Sequence, residues 1–356
     1  MSPLLPILRG LIEEKGPLPL DSFMNLCLSH PEHGYYRKRD PLGRQGDFTT
    51  APEISQMFGE LIGIWCVERW QAMGSPASFN IVELGPGRGT LMSDALRAGK
   101  ASPGFIEGLK LHLVEINDSL RRQQKQALKA YDPVWYESIE DLKLKGPTLW
   151  IGNEFFDALP IQQFISKDGI WHERCVEFDT HKDELCYVDL VSKEVPVMGE
   201  QPAGTLFETC PLAQSILAKI SAHIKIHGGC GLFIDYGYSR GEKGDTFQAL
   251  KDHQPVSPLA FPGQSDLTAH VDFQKLVEIA YRQGAQPHGP VTQEAFLNGL
   301  GIAVRAQALQ EGKHESLQEE VKRAHLRLTS PKEMGNLFKV LAITDSNQTV
   351  PCGFHV

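Results

Sequence analysis

The stretch Asn80–Thr90, NIVELGPGRGT, decides how this chain is read. Ile81 and Val82 supply a β-branched run, Gly85, Gly87 and Gly89 follow at every second position, and Leu91, Ala95 and Leu96 then recur at helical spacing. The segment predicts a strand, a glycine-rich turn and a helix. Such a turn lets a ligand sit almost on the backbone, because a Cβ at those positions would block it. It also aims the free N–H groups of the helix start at whatever binds there. A dinucleotide fingerprint, G-x-G-x-x-G, would need glycine where this chain has Thr90. No lysine lies in or just after the turn, which excludes a Walker P-loop. Glu83 stands just ahead of the glycines, and a carboxylate there suits a zwitterionic or cationic ligand better than a pyrophosphate. The turn alone leaves open a tight strand–helix junction with no ligand.

The totals bound the rest. With 356 residues the chain is long enough for one large α/β domain or two smaller ones. A hydrophobic share of 41% fits a globular protein. The net charge of −9, without a long basic run, argues against a broad nucleic-acid surface. Seven cysteines are scattered without a C-x-x-C pair, so a reducing compartment is expected rather than a disulfide framework. No apolar run approaches the roughly 20 residues of a membrane span. The N-terminus, MSPLLPILRGLIEEKG, lacks the basic start of a signal peptide and reads as a helix with Leu4, Leu8, Leu11 and Ile12 on one face.

Outward from the turn, strand and helix signals alternate. Strands are expected at Phe79–Leu84, Leu109–Ile116, about Val134–Ser138, Thr148–Phe155, Gly229–Asp235 and Leu337–Thr344, with a helix capped near Asn117 or Asp118 after the second. This alternation predicts a parallel sheet with helices on both faces and a ligand outside the carboxyl ends of its strands. Residues 1–75 read as a helical and loop-rich extension, ending in a long helix from about Pro52 to Met73. Residues 76–345 form the core. Within it, 161–208 alternate like inserted β-hairpins, and 239–270, rich in Gly, Pro and Ser, read as a long loop. Helices are expected over Cys210–Ile226, Asp272–Gln283, about Thr292–Gln310 and Glu315–Leu328, and 346–356 as a tail.

Several polar residues fall at the expected ligand edge. S-adenosylmethionine (SAM), with an amino group, a carboxylate and a sulfonium, suits the acid-plus-glycine turn, the pattern of class I methyltransferases. Glu115, at the end of the second strand, can accept both hydroxyls of a ribose; a helix-start acid is the alternative. Asn153, Glu154 and Asp157 lie in GNEFFDALP at the end of the fourth strand, where acids and an amide could orient an amino acceptor; a capped strand–helix turn is the alternative. Asp47, Thr49, Thr50 and Glu53 lie in GDFTTAPE, which threonine caps and a first-turn acid explain equally well. Asp235 and Tyr236 again end a strand at the same edge. His30, His33, His223, His227 and the DLTAHVD stretch (266–272) lack a recognised ligand spacing, so no metal is expected. Hydrolase chemistry finds no G-x-S-x-G or Cys/His constellation.

GDFTTAPEISQMFGELIG, VELGPGRGTLMSDALR, LVEINDSLRRQQ, GNEFFDALP, LFIDYGY, DLTAHVDF, TQEAFLNGLGI and EMGNLFKVLAI closely resemble the MidA-like family of SAM-dependent methyltransferases. That family is related to the mitochondrial protein arginine methyltransferase that assists complex I assembly. The similarity runs from about residue 20 to 345. It implies a class I α/β fold with an N-terminal extension and an inserted β-rich segment. It implies SAM at Glu83, Gly85, Pro86, Gly87, Gly89, Glu115, Ile116 and Asn153, and raises the expectation that Asp47–Glu53 closes over cofactor or acceptor. On this reading Glu154, with Asp157 or Asp47, orients the acceptor nitrogen and takes its proton, and Thr49, Glu53, Asp235 and Tyr236 contact the substrate. The acceptor is then a protein, with arginine as one candidate and homodimerisation left open. The short N-terminus shows nothing like a mitochondrial presequence, so a bacterial-type, cytoplasmic protein is expected. Two other readings stay open: a nucleotide-linked oxidoreductase and a non-catalytic assembly factor.

Overall fold

A computed structural model describes residues 2–38, 50–194, 201–241 and 244–355. The chain folds as two compact units, one from residues 49–156, 216–240 and 273–356, the other from 1–48, 157–215 and 241–272.

The first unit is built on a twisted sheet. Its strands are β1 (Phe79–Leu84), β2 (Leu109–Val114), β3 (Val134–Tyr136), β4 (Thr148–Asn153), β5 (Gly229–Tyr238), β6 (Gln286–Thr292) and β7 (Phe338–Thr344). Their spatial order is β6-β7-β5-β4-β1-β2-β3. Strands β1 to β5 are parallel to one another, and β7 runs antiparallel to both β5 and β6. The chain leaves β1 towards β2 and β3, then returns to β4 on the other side of β1. The strand order therefore reverses between β1 and β4, which opens a crevice at their carboxyl ends. All six residues of β1 and of β4 are buried. Such strands are covered on both faces, which is why they read as apolar runs rather than alternating ones.

Helix α1 (Gln56–Ala72) packs on α2 (Thr90–Gly99), and α3 (Asp118–Ala127) follows β2. The α1–α2 approach depends on glycine: a Cβ at Gly63 would lie 2.3 Å from the Ala95 carbonyl oxygen. Trp65, Phe58, Phe79 and Phe105 are buried in the same core. Local differences from the sequence pattern have physical causes. The helix expected from Pro52 is interrupted at Ser55, whose extended backbone (φ −162°, ψ 141°) separates a short helix, Ala51–Ile54, from α1. Ser55 then caps α1 by accepting from the Met57 N–H at 3.2 Å. The helix expected over 292–310 is two, Gln293–Gly299 and Ile302–Gln310, because Gly301 turns left-handed between them. Strand β6 just before them was not foreseen. The segment after 345 packs rather than trails: Phe354 is buried with its ring 5.4 Å from that of Phe296.

The second unit has its own core. Helices Leu5–Lys15 and Leu20–Ser29 bury Leu4, Leu8, Ile12, Phe23 and Met24 together with Val176, Phe178, Phe247 and Leu267. Strands Gln162–Lys167, Ile170–Asp179, Glu184–Val191 and Leu206–Thr209 form an antiparallel sheet, as the alternation over 161–208 predicts. The expected loop over 239–270 instead contains a three-stranded antiparallel sheet of Gln248–Lys251, Gln254–Val256 and Asp266–Thr268. Phe247, Ala249, Leu267 and Ala269 are buried in this unit's core, which stabilises the short strands.

Candidate active site

Two turns at the carboxyl edge of β1 and β4 carry the site. In the first, Gly85, Gly87 and Gly89 all take left-handed backbone, with φ of 61°, 55° and 81°. Few other residues adopt this conformation without strain. Gly85 N–H donates to Val114 O at 3.0 Å and Gly89 N–H to Pro86 O at 2.8 Å, so the turn is anchored to β2 and closed on itself. A Cβ on Gly85 would come within 3.1 Å of the Phe155 ring.

Two carboxylates flank this turn. Glu83 is 3% exposed and Glu115 7%. Burial, and then the neighbouring charge of Glu115, push the Glu83 carboxyl well above the usual range. Its Oε2 has no hydrogen-bond partner among the described residues. Burial pushes Glu115 up to about 6, against the pull of its hydrogen bonds. Glu115 follows the last residue of β2, and its Oε1 accepts from the Asn117 N–H at 2.8 Å. Asn117 in turn caps α3 through the Ser119 and Leu120 N–H groups. Ile116, between them, is half-buried.

The second turn begins at Asn153, the last residue of β4. Glu154 continues the pairing with an N–H to Ile234 O bond of 2.9 Å, yet its φ is 52°. A non-glycine residue in that region is strained, and such strain collects at functional sites. The Glu154 Oε1 accepts from the Asn153 Nδ2 and from the Ala51 N–H, each at 3.0 Å. Asn153 Oδ1, in a residue 9% exposed, has no partner among the described residues. Asp235, 1% exposed, accepts from the N–H groups of Phe155 (3.1 Å), Phe156 (2.9 Å) and Tyr236 (3.0 Å). Three backbone donors on this carboxylate hold the second turn in shape. Tyr236 is half-buried with its ring edge-on to Phe338.

The short helix Ala51–Ile54 joins the two turns. Its first N–H is taken by Glu154, while Glu53 accepts from Thr90 Oγ1 at 2.5 Å and lies 3.6 Å from the Arg88 guanidinium. Thr50 does not cap it with its side chain, contrary to the capping expected from GDFTTAPE. Asp47 and Thr49 lie outside the described residues. Asp157 belongs to the second unit, where it is 7% exposed and its carbonyl accepts from the Ala269 N–H. Burial first, then the charges of Asp266 and Asp157, push the Tyr36 hydroxyl well above its ordinary range; that hydroxyl donates to Asp266 Oδ1 at 2.8 Å. Among the described residues no cluster of His, Cys, Asp and Glu is placed to hold a metal. Gln124 and Arg88 meet this site without having been singled out in the sequence; no local pattern marks either.

This donor set fits a cationic nucleoside. Two buried, mutually repelling carboxylates, one with an orphan oxygen, are relieved by a ligand bringing positive charge. The left-handed glycines leave the backbone of the first turn bare of side chains, and Glu115 directly follows β2 at the same edge.

Fold and site together define a class I SAM-dependent methyltransferase. A family model described as S-adenosyl-L-methionine-dependent methyltransferase matches residues 61–291, and the chain belongs to that family. The curated relatives it resembles include the mitochondrial protein arginine methyltransferase NDUFAF7 of Danio rerio, 35% identical and covering 96% of this chain and 87% of that one. The Homo sapiens NDUFAF7 is 36% identical, covering 96% and 84%. Among solved structures, a Burkholderia thailandensis protein crystallised with S-adenosyl-homocysteine superposes with a TM-score of 0.86 at 25% identity, covering 99% of this chain and 94% of that one. The resemblance read from the sequence is thereby borne out, and SAM is the cofactor; the oxidoreductase and non-catalytic readings fall away. No helix among the described residues is long and apolar enough to cross a membrane.

Proposed function

We propose that the enzyme methylates a guanidino ω-nitrogen of arginine in a protein acceptor, with Glu154 as the residue that orients that nitrogen and takes its proton. The single observation that carries this is the left-handed backbone of Glu154, kept at a glutamate whose carboxylate is aimed by two hydrogen bonds. When bound, SAM supplies an electrophilic methyl group. A guanidinium holds its proton throughout the neutral range and offers no free lone pair. A fixed carboxylate beside the nitrogen would orient the group, balance its positive charge and take up its proton, the methyl passing from sulfur to nitrogen with S-adenosyl-homocysteine as the leaving product. Asp235, by holding the 155–156 backbone, keeps Glu154 in place; Glu53 ties the short helix to the glycine turn. We assign the cofactor to Glu83, Gly85, Pro86, Gly87, Gly89, Glu115, Ile116 and Asn153, and Tyr236 to the acceptor side. The names of the NDUFAF7 relatives support arginine as target and protein as acceptor. All seven cysteines are free, which supports a reducing compartment such as a bacterial cytoplasm, although the relatives are named mitochondrial. The test is methyl transfer by Glu154→Gln: it should bind S-adenosyl-homocysteine normally and transfer nothing to acceptor proteins, and normal turnover would remove Glu154 from the chemistry.

A further inference from the structure

Gln124, on α3, is fully buried, and its amide is committed on both sides. Trp135 Nε1, which can only donate, gives its hydrogen to Gln124 Oε1 at 2.8 Å. That bond fixes the rotation of the amide, so Nε2 faces the opposite way. Nε2 then donates to Gly87 O at 2.6 Å and to Glu115 Oε2 at 3.2 Å. One side chain thus touches both the glycine turn after β1 and the acid after β2. The approach is close: a Cβ at Gly89 would sit 3.4 Å from the Gln124 Cα.

We propose that Gln124 is a positioning residue for cofactor binding, locking the Gly87 carbonyl and the Glu115 carboxylate in register so that one nucleoside can meet both. The choice of residue follows from its bonding capacity. Glutamate would bring a second negative charge against Glu115, methionine would leave Gly87 O and Glu115 Oε2 without a donor, and asparagine is one methylene short. The proposal rests on the reading that Glu115 receives the cofactor.

The test is calorimetric titration of the full chain with S-adenosyl-homocysteine from about pH 5.5 to about 8.5, on the wild type and three variants. Wild-type affinity should fall on the acid side as Glu115 gains a proton, the charged groups facing it being Glu83 on β1 and Arg121 on α3, whose guanidinium donates to the Glu115 carbonyl. Gln124→Met should weaken binding about tenfold at neutral pH and move that acid limb up by about one pH unit, because Glu115 loses a donor to its charged form. A purely structural role would lower the melting temperature and leave the limb where it was. Trp135→Phe keeps Gln124 but frees its amide to turn; a smaller upward move in the same direction is expected, and this variant serves if Gln124→Met does not fold. Wild-type affinity and an unmoved limb in either variant overturn the proposal. Glu115→Gln separates the underlying reading: if it binds like the wild type, Glu115 does not receive the cofactor, whatever Gln124 does.

Discussion

The two turns at the carboxyl edge of the sheet take the same left-handed backbone by opposite means. After β1 it falls to Gly85, Gly87 and Gly89; after β4 it falls to Glu154. Glycine would be easier at 154 by about 1 kcal/mol. The first turn is therefore shaped by what is missing, a Cβ that would crowd Phe155 at Gly85 and Gln124 at Gly89, and the second by what is present, a carboxylate aimed by two hydrogen bonds.

This contrast can be broken by experiment. The largest expected effect is that of Glu154→Gln, which should lower turnover by about a thousandfold while leaving S-adenosyl-homocysteine affinity within about twofold; a rate within about tenfold of wild type would show the second turn to be structural. Next, Gly85→Ala should cost about 2 kcal/mol in urea unfolding, because it combines a φ of 61° with a Cβ 3.1 Å from Phe155. Glu154→Gly should relieve the backbone strain but strand the Ala51 N–H and the Asn153 amide, so its net effect on stability should stay within about 1 kcal/mol while transfer is lost. If Glu154→Gly destabilises as much as Gly85→Ala, the two turns are not opposites.

The most gradual effect is read from pH. Glu115 carries a native value of about 6 against an ordinary 4.5, so between these values the native state binds more protons than the unfolded one. Stability from this group is therefore full at low pH and falls as pH rises through the window, by about 2 kcal/mol at most. Glu83, raised further by burial, acts in the same direction. Glu115→Gln should flatten that slope in ligand-free unfolding measured from about pH 4.5 to about 7 and weaken S-adenosyl-homocysteine binding in the same step. An unchanged slope would place the titration elsewhere.

Legibility followed the range of the interactions. Phe79–Leu84 was read correctly to the residue, and Asn117 was one of two caps expected, because both depend on neighbours within a few positions. Glu83 and Glu115 could be placed together because adjacent parallel strands bring their carboxyl ends to one edge. The three strands inside 239–270 escaped notice because each is only three or four residues long and gains its stability from partners and from a core supplied by residues such as Leu4 and Val176. Glu53 was explained equally well as a first-turn acid; only its contacts with Thr90 and Arg88 join it to the glycine turn.

By itself the sequence determined the strand–turn–helix around Asn80–Thr90, the family and the cofactor, because period, glycine spacing and motif are properties of contiguous residues. Tertiary structure alone decided which backbone strain is spent on a side chain at Glu154, which carboxylate is consumed by backbone donors at Asp235, and that Gln124 spans two strand ends. Those are matters of direction and distance between segments far apart in the chain. Hydrogen bonds and buried charges act over a few ångströms, and nothing in the order of residues records which groups will come that close.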